Sequence, residues 1–267
     1  MASVGISRRQ LLKIGGILLA SSALGIKQSS AANKDLVIGL LHPPANWPTP
    51  AEAMRMYPTG VKWLSLGLGL TKMTPEGYDS VIPKVASASK ELRDQGAQGI
   101  ILMGTSLTFY KGAEFNHKLT QSMRDATGLP CITMSTAIVE GLKAVNGKRV
   151  AAATAYQDEV NNRLVTFLKE SGFEVEAIKG LKIEKTDDVK NVTDDQLMIL
   201  CGDVIRLAPK ADSLVISCGG LVTLGIHVEL EKQYKLPVVS STPAGLWAGM
   251  RMMGQSGRAP GLGKLLE

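Results

Sequence analysis

With 267 residues, 45% of them hydrophobic and 20% charged, the chain is long and apolar enough for one large domain or two small lobes, which excludes a disordered or fibrous class. Its formal charge is weighted toward the N-terminus: residues 1–32 hold Arg8, Arg9, Lys13 and Lys27 and no acid, so without them the charge falls from +6 to +2. The remaining lysines are scattered and aromatic residues are few, at 4%, so a basic nucleic-acid face is excluded as well.

The first element in chain order is a targeting segment. Ser7, Arg8 and Arg9 precede Gln10-Leu11-Leu12-Lys13, an uncharged run extends from Ile14 to Ile26, and Ser30-Ala31-Ala32 supplies the small residues of a cleavage site. This pattern predicts a signal peptide over 1–32, of the twin-arginine type. The uncharged run is shorter than the roughly 18 residues of a membrane span. No stable membrane anchor is therefore expected; the expected partner is the export machinery and the expected location periplasmic or secreted.

Strands are predicted at 36–41, 62–66, 99–103, 131–134, 149–154, 174–178, 213–217 and 238–240, where β-branched and leucine-rich runs are short. Helical spacing is predicted over 75–95, 113–127, 136–145, 158–171, 193–208 and 224–234. Such alternation means an α/β fold of parallel sheets flanked by helices. The halves also echo each other: ILMGTSL (101–107) and LPCITMSTA (129–137) match VISCGGL (215–221) and LPVVSSTPA (236–244). Two similar, pseudo-twofold related lobes follow, 33–147 plus 242–267 and 148–241, with the active site in the cleft between them. Gly104 and Cys218 occupy equivalent positions in that alignment.

Three cysteines, Cys131, Cys201 and Cys218, cannot all pair. Cys131 in a strand and Cys201 in a helix read as inert core. His42, His117 and His227 are widely separated, show no metal-ligand spacing and are expected at the surface or in caps, so no metal site is predicted. Gly67-Leu68-Gly69-Leu70 lacks the third glycine of a dinucleotide fingerprint and there is no P-loop, so no cofactor is expected. Cys218 ends a predicted strand and is followed by Gly219, Gly220 and an expected helix, an arrangement that places a thiol proton donor beside an anion-binding nest. Gly104-Thr105-Ser106 adds hydroxyls at the other strand end, Tyr156 a phenol, and His42-Pro43-Pro44 a rigid loop on the same cleft. One wall thus offers a thiol and the other bare glycine, so one face of a bound substrate can be protonated.

At these residues the chain resembles the arylmalonate decarboxylases, a family of the aspartate/glutamate racemase superfamily. The resemblance covers nearly all of the chain after the leader. It is carried by GLGLTKMTPEGYD (67–79), MGTSLTFYKGAEFN (103–116), TGLPCITMSTA (127–137), ATAYQDEVN (153–161), SCGGLVTL (217–224) and LPVVSSTPAGLWA (236–248). Racemases and maleate isomerases of that superfamily carry two cysteines, one per lobe, whereas the decarboxylases resemble this chain in having glycine at the first position. The resemblance therefore implies a cofactor-independent carboxy-lyase acting on a small malonate-type dicarboxylate. It implies that Thr105, Ser106, Tyr156 and the Cys218-Gly219 backbone hold one carboxylate, and that Pro43, Leu70, Met73, Tyr78 and Leu107 form an apolar pocket for the other. LKIEKTDDVKN (181–191) is more charged than the family's pocket-forming segment, which places Thr186 and Val189 beside a more polar pocket; the leader is a second departure. Two other readings remain open: racemisation or isomerisation, which needs a second acid–base group opposite Cys218, and an exported protein that binds dicarboxylates without turnover.

Overall fold

The computed structural model describes residues 35–267, together with Met1; the expected signal peptide lies outside the described residues. The strands are β1 (Leu36–His42), β2 (Val61–Gly67), β3 (Gly99–Leu102), β4 (Cys131–Thr133), β5 (Arg149–Thr154), β6 (Glu174–Gly180), β7 (Ser213–Ser217) and β8 (Val238–Ser240). They form two four-stranded sheets in the orders β2-β1-β3-β4 and β6-β5-β7-β8, parallel throughout. Every residue of β3 and β7 is buried, as parallel strands covered on both faces require. β3 and β7 hold the same place in their sheets, so Gly104 and Cys218 leave equivalent strand ends.

The helices are α1 (Ala51–Met56), α2 (Pro75–Val81), α3 (Val85–Asp94), α4 (Thr105–Phe109), α5 (Gly112–Thr127), α6 (Met134–Ala144), α7 (Asp158–Glu170), α8 (Asp194–Leu207), α9 (His227–Tyr234) and α10 (Ser241–Met252). The single helix expected over 75–95 is divided by a 3₁₀ turn at Ile82–Lys84, because Pro83 has no amide hydrogen to continue the ladder. α10 has no counterpart among the predicted helices: Pro243, Gly245 and Gly249 lower its intrinsic propensity. Burial over Ser241–Met250 stabilises it instead. α1 and α4 are also additions, each shorter than a sequence period can show.

The last helix of each half crosses to the other. α6 follows β4 yet brings Gly141 against Val239 of β8, while α10 follows β8 and brings Gly249 against Ile101 of β3. Residues 34–267 accordingly form one compact unit. Two histidines expected at the surface or in caps are interior, His42 at 2% and His227 at 1% exposure; His117 is exposed. Both buried rings end apolar segments whose packing, not their own polarity, decides where they sit.

β2 ends at Gly67, beside the loop that follows β1. A Cβ there would collide with the carbonyl oxygens of Pro44 and Ala45, and backbone cannot yield as a side-chain tip does. Gly67→Ala is expected to cost about 1–3 kcal/mol, measured as a lower urea midpoint. An unchanged midpoint would show that this loop has freedom to move.

Candidate active site

The two strand ends meet at a cavity. From the first half it receives His42, Pro43, Pro44, Trp47, Leu70, Met73, Met103, Gly104, Thr105 and Ser106; from the second, Tyr156, Thr186, Val189, Cys218, Gly219 and Gly220. Most of the residues singled out in the sequence therefore share one chamber. Tyr78 and Leu107 do not line it: both are fully buried, Leu107 directly behind Gly104.

Cys218 follows β7 with 6% exposure. Burial pushes its thiol up to about 11, partly offset by the N–H groups of Gly220 and Leu221 and the Tyr156 hydroxyl, which face the sulfur. At neutral pH the sulfur holds its proton. No helix starts after Gly220, contrary to expectation; the chain turns through 219–226 before α9, and the Leu221 N–H donates to the Cys218 carbonyl at 3.2 Å. Gly219 and Gly220 in this turn approach facing groups too closely for a side chain. A Cβ on Gly219 would lie 2.8 Å from the Met103 carbonyl oxygen, and one on Gly220 2.9 Å from Val189.

Hydroxyls cluster on the sulfur's side of the cavity. Tyr156 is fully buried, and its hydroxyl lies 3.3 Å from Ser217 Oγ. Burial raises its pKa well above the ordinary value, with Cys218 adding to the rise and the Ser217 and Ser106 hydroxyls opposing it. Tyr78 is raised by burial too, and the Ser106 hydroxyl lies on its side; its own hydroxyl has no geometrically sound hydrogen bond. Ser106, 6% exposed, thus lines the cavity with its hydroxyl beside both phenols.

The charged segment 181–191 presents Asp187, Asp188 and Lys190 to solvent and turns Thr186 and Val189 inward. The Thr186 hydroxyl is 3.3 Å from the carbonyls of Leu70 and Thr71, so it is occupied by backbone and this wall is effectively apolar. Among the described residues lining the cavity there is no Lys, Arg, Asp or Glu.

A family model described as arylmalonate decarboxylase matches residues 38–266. The chain belongs to the arylmalonate decarboxylase family. The family's curated member from Bordetella bronchiseptica is 46% identical over 231 residues, covering 86% of this chain and 96% of that one. A solved arylmalonate decarboxylase in liganded form, a double mutant with a glycine changed to cysteine and a cysteine to serine, superposes with a TM-score of 0.85. It is 45% identical and covers 87% of this chain and 99% of that one. The maleate cis-trans isomerase of Nocardia farcinica, bound to TRIS, is 21% identical with a TM-score of 0.80 over 86% of this chain and 97% of that one, which shows the shared two-lobe fold alone. As a member of the arylmalonate decarboxylase family, the protein is a carboxy-lyase.

Against the arrangement that the family resemblance implied, one feature is new. The Cys218 N–H and the Thr105 hydroxyl, both expected to face a carboxylate, donate to Ser241 Oγ at 3.0 and 2.8 Å. Ser241, the first residue of α10, joins the two strand-end loops and lay unmarked in the sequence within SSTPA (240–244). Its one signal was the alignment of that segment with Ser135-Thr136-Ala137. Ser241→Ala would leave a buried amide without an acceptor, and is expected to cost about 1–3 kcal/mol in denaturant unfolding, with Ser241→Thr recovering part of it. Equal stability of the alanine variant and the wild type would remove the bridge from the account.

Proposed function

We propose that the protein decarboxylates a disubstituted, arylmalonate-like diacid without a cofactor, protonating one face of the enediolate from Cys218. The observation that carries this reading is the asymmetry of the cavity. Cys218 stands at one strand end, and the equivalent end holds Gly104, where a Cβ would lie 2.5 Å from Pro43 Cγ and 3.1 Å from Leu107 Cβ.

Ser106, Tyr156 and the Gly219-Gly220 turn grip the carboxylate that stays. The other enters the wall formed by Pro43, Pro44, Leu70, Met73 and Val189, where a carboxylate without partners is disfavoured by several kcal/mol. Cleavage of the carbon–carboxylate bond releases carbon dioxide and relieves that cost. The electron pair passes into the retained carboxylate, making an enediolate whose added charge each donor stabilises by a factor on the order of 10²–10³ in rate. The Cys218 S–H proton then moves to carbon, and the thiolate recovers a proton from solvent. A thiol held protonated by burial is the form this step needs. Racemisation or isomerisation would need a second acid–base group opposite the sulfur, and the equivalent strand end carries glycine, with Pro43 and Leu107 packed against it.

The protein lacking residues 1–32 is expected to release carbon dioxide from 2-methyl-2-phenylmalonate, and Cys218→Ala to slow turnover by about 10² or more. Release at the wild-type rate by the variant would dismiss the thiol as donor. Binding of the diacid with no carbon dioxide at all would favour the dicarboxylate-binding reading instead.

The leader adds a location: the paired Arg8-Arg9 directs export of the folded protein to the periplasm or beyond. In cell fractionation, changing both arginines to lysine is expected to retain the protein inside. An unchanged distribution would set the twin-arginine route aside.

A further inference from the structure

His42 is a buried group that the chemistry above does not use. It closes β1 on the first-sheet wall, immediately before Pro43 and Pro44, lines the cavity and is 2% exposed. Its Nε2 is buried without a hydrogen-bond partner. The other interior imidazole, His227, behaves differently: its Nε2 lies 2.7 Å from Ser240 Oγ. This fold thus satisfies one buried imidazole and leaves the other, in the cavity wall, without a partner.

We propose that His42 is a specificity-determining residue, its Nε2 hydrogen-bonding a polar atom on the α-substituent of the malonate-type diacid. Substrates with a heteroatom or hydroxyl on that group are then preferred to their hydrocarbon isosteres. The inference rests on the malonate decarboxylase reading and names the part of the substrate that the reading leaves open. The retained carboxylate has Ser106 and Tyr156 as donors, and the departing one must lack partners for its loss to be driven. The substituent is what remains for His42.

Burial lowers the ring's pKa to about 4, so it enters as a neutral imidazole and not as a counter-ion. A neutral ring donates or accepts at Nε2 according to tautomer, which suits a pyridine nitrogen as well as a phenol. A wall that hydrogen-bonds a substrate group rejects an analogue lacking it far more strongly than an apolar wall rejects a change of size, because the protein atom is left unpaired.

The test compares 2-methyl-2-phenylmalonate with its 3-pyridyl and 3-hydroxyphenyl analogues, uncatalysed release subtracted, in wild type, His42→Leu and His42→Gln. The wild type is expected to favour at least one polar analogue by about tenfold or more in kcat/KM. His42→Leu should abolish that preference and His42→Gln keep part of it. Equal ratios in wild type and His42→Leu overturn the proposal. Calorimetric binding of the corresponding arylacetates to the wild type provides a second readout that needs no turnover. The ring ¹⁵N shifts of the wild type, which has only three histidines to resolve, provide a third that needs no variant. A His42 shift on adding the polar acid but not phenylacetate supports the inference even where no carbon dioxide is released, in which case the decarboxylase reading alone falls. Carbon dioxide release with no polar preference, no binding difference and no ring shift overturns the inference alone; neither binding nor release overturns both.

Discussion

Three consecutive hydroxyls at the β8–α10 corner hold the site together. Ser240 Oγ lies 2.7 Å from both Thr223 Oγ1 and His227 Nε2, Ser241 bridges Thr105 and the Cys218 amide, and the Thr242 hydroxyl donates to the Gly219 carbonyl at 3.1 Å. Glu52 of α1 ties down the far end of the same loop, accepting from the Thr223 and Leu224 N–H groups at 2.9 and 3.1 Å. The first half has an equivalent contact: Ser135 Oγ donates to the Thr105 carbonyl at 2.9 Å, and in the internal alignment Ser135 matches Thr242 as Thr105 matches Gly219. The same corner was thus built twice, each copy fixing the strand-end loop of its own half. Ser241 is the step that joins the two loops, and with them the two walls of the cavity.

The second constraint is neutrality. Burial keeps Cys218, Tyr156 and Tyr78 protonated and His42 uncharged, and no full charge lines the cavity. A diacid entering such a chamber gives up water and meets dipoles, which are worth more in a low-dielectric interior than in solution. Hydroxyls on one side and hydrocarbon on the other make the two carboxylates unequal. In the proposed reaction that inequality, more than any single group, selects which bond breaks. A cation in the apolar wall would stabilise the departing carboxylate and remove the driving force, and the charged segment 181–191 avoids this by pointing its ionised side chains outward.

All eight strands were legible: β1, β3, β4, β5, β7 and β8, largely buried, leave short apolar runs that a helix does not, and the half-exposed β2 and β6 leave short strand-length segments between turns. The repeat placed Gly104 opposite Cys218, since β3 and β7 take the same position in their sheets. Less legible was whatever depends on contacts distant in sequence. α10 carries proline and two internal glycines and is a helix because it is buried, so no local period announces it. Ser241 acts through residues 23 and 136 positions away, and a serine in a Ser-Ser-Thr-Pro run looks locally like a cap. The turn after Cys218 was taken for a helix start because the Gly-Gly pair fits both. His42 was placed at the surface on composition, whereas its register beside Gly67 in β1 draws it inside.

The proposed one-sided chemistry rests on shape as much as on the missing thiol. At position 104 the Pro43 ring and Leu107 already occupy the volume a side chain needs, so the wall facing the sulfur is made of hydrocarbon pressed against backbone. In the proposed reaction the enediolate meets a single acid, Cys218, held protonated by its own burial and backed by a loop that Ser241 fixes in place. On that proposal, stereochemical control comes from two strand-end loops, one carrying the proton donor Cys218 and the other carrying glycine at the equivalent position.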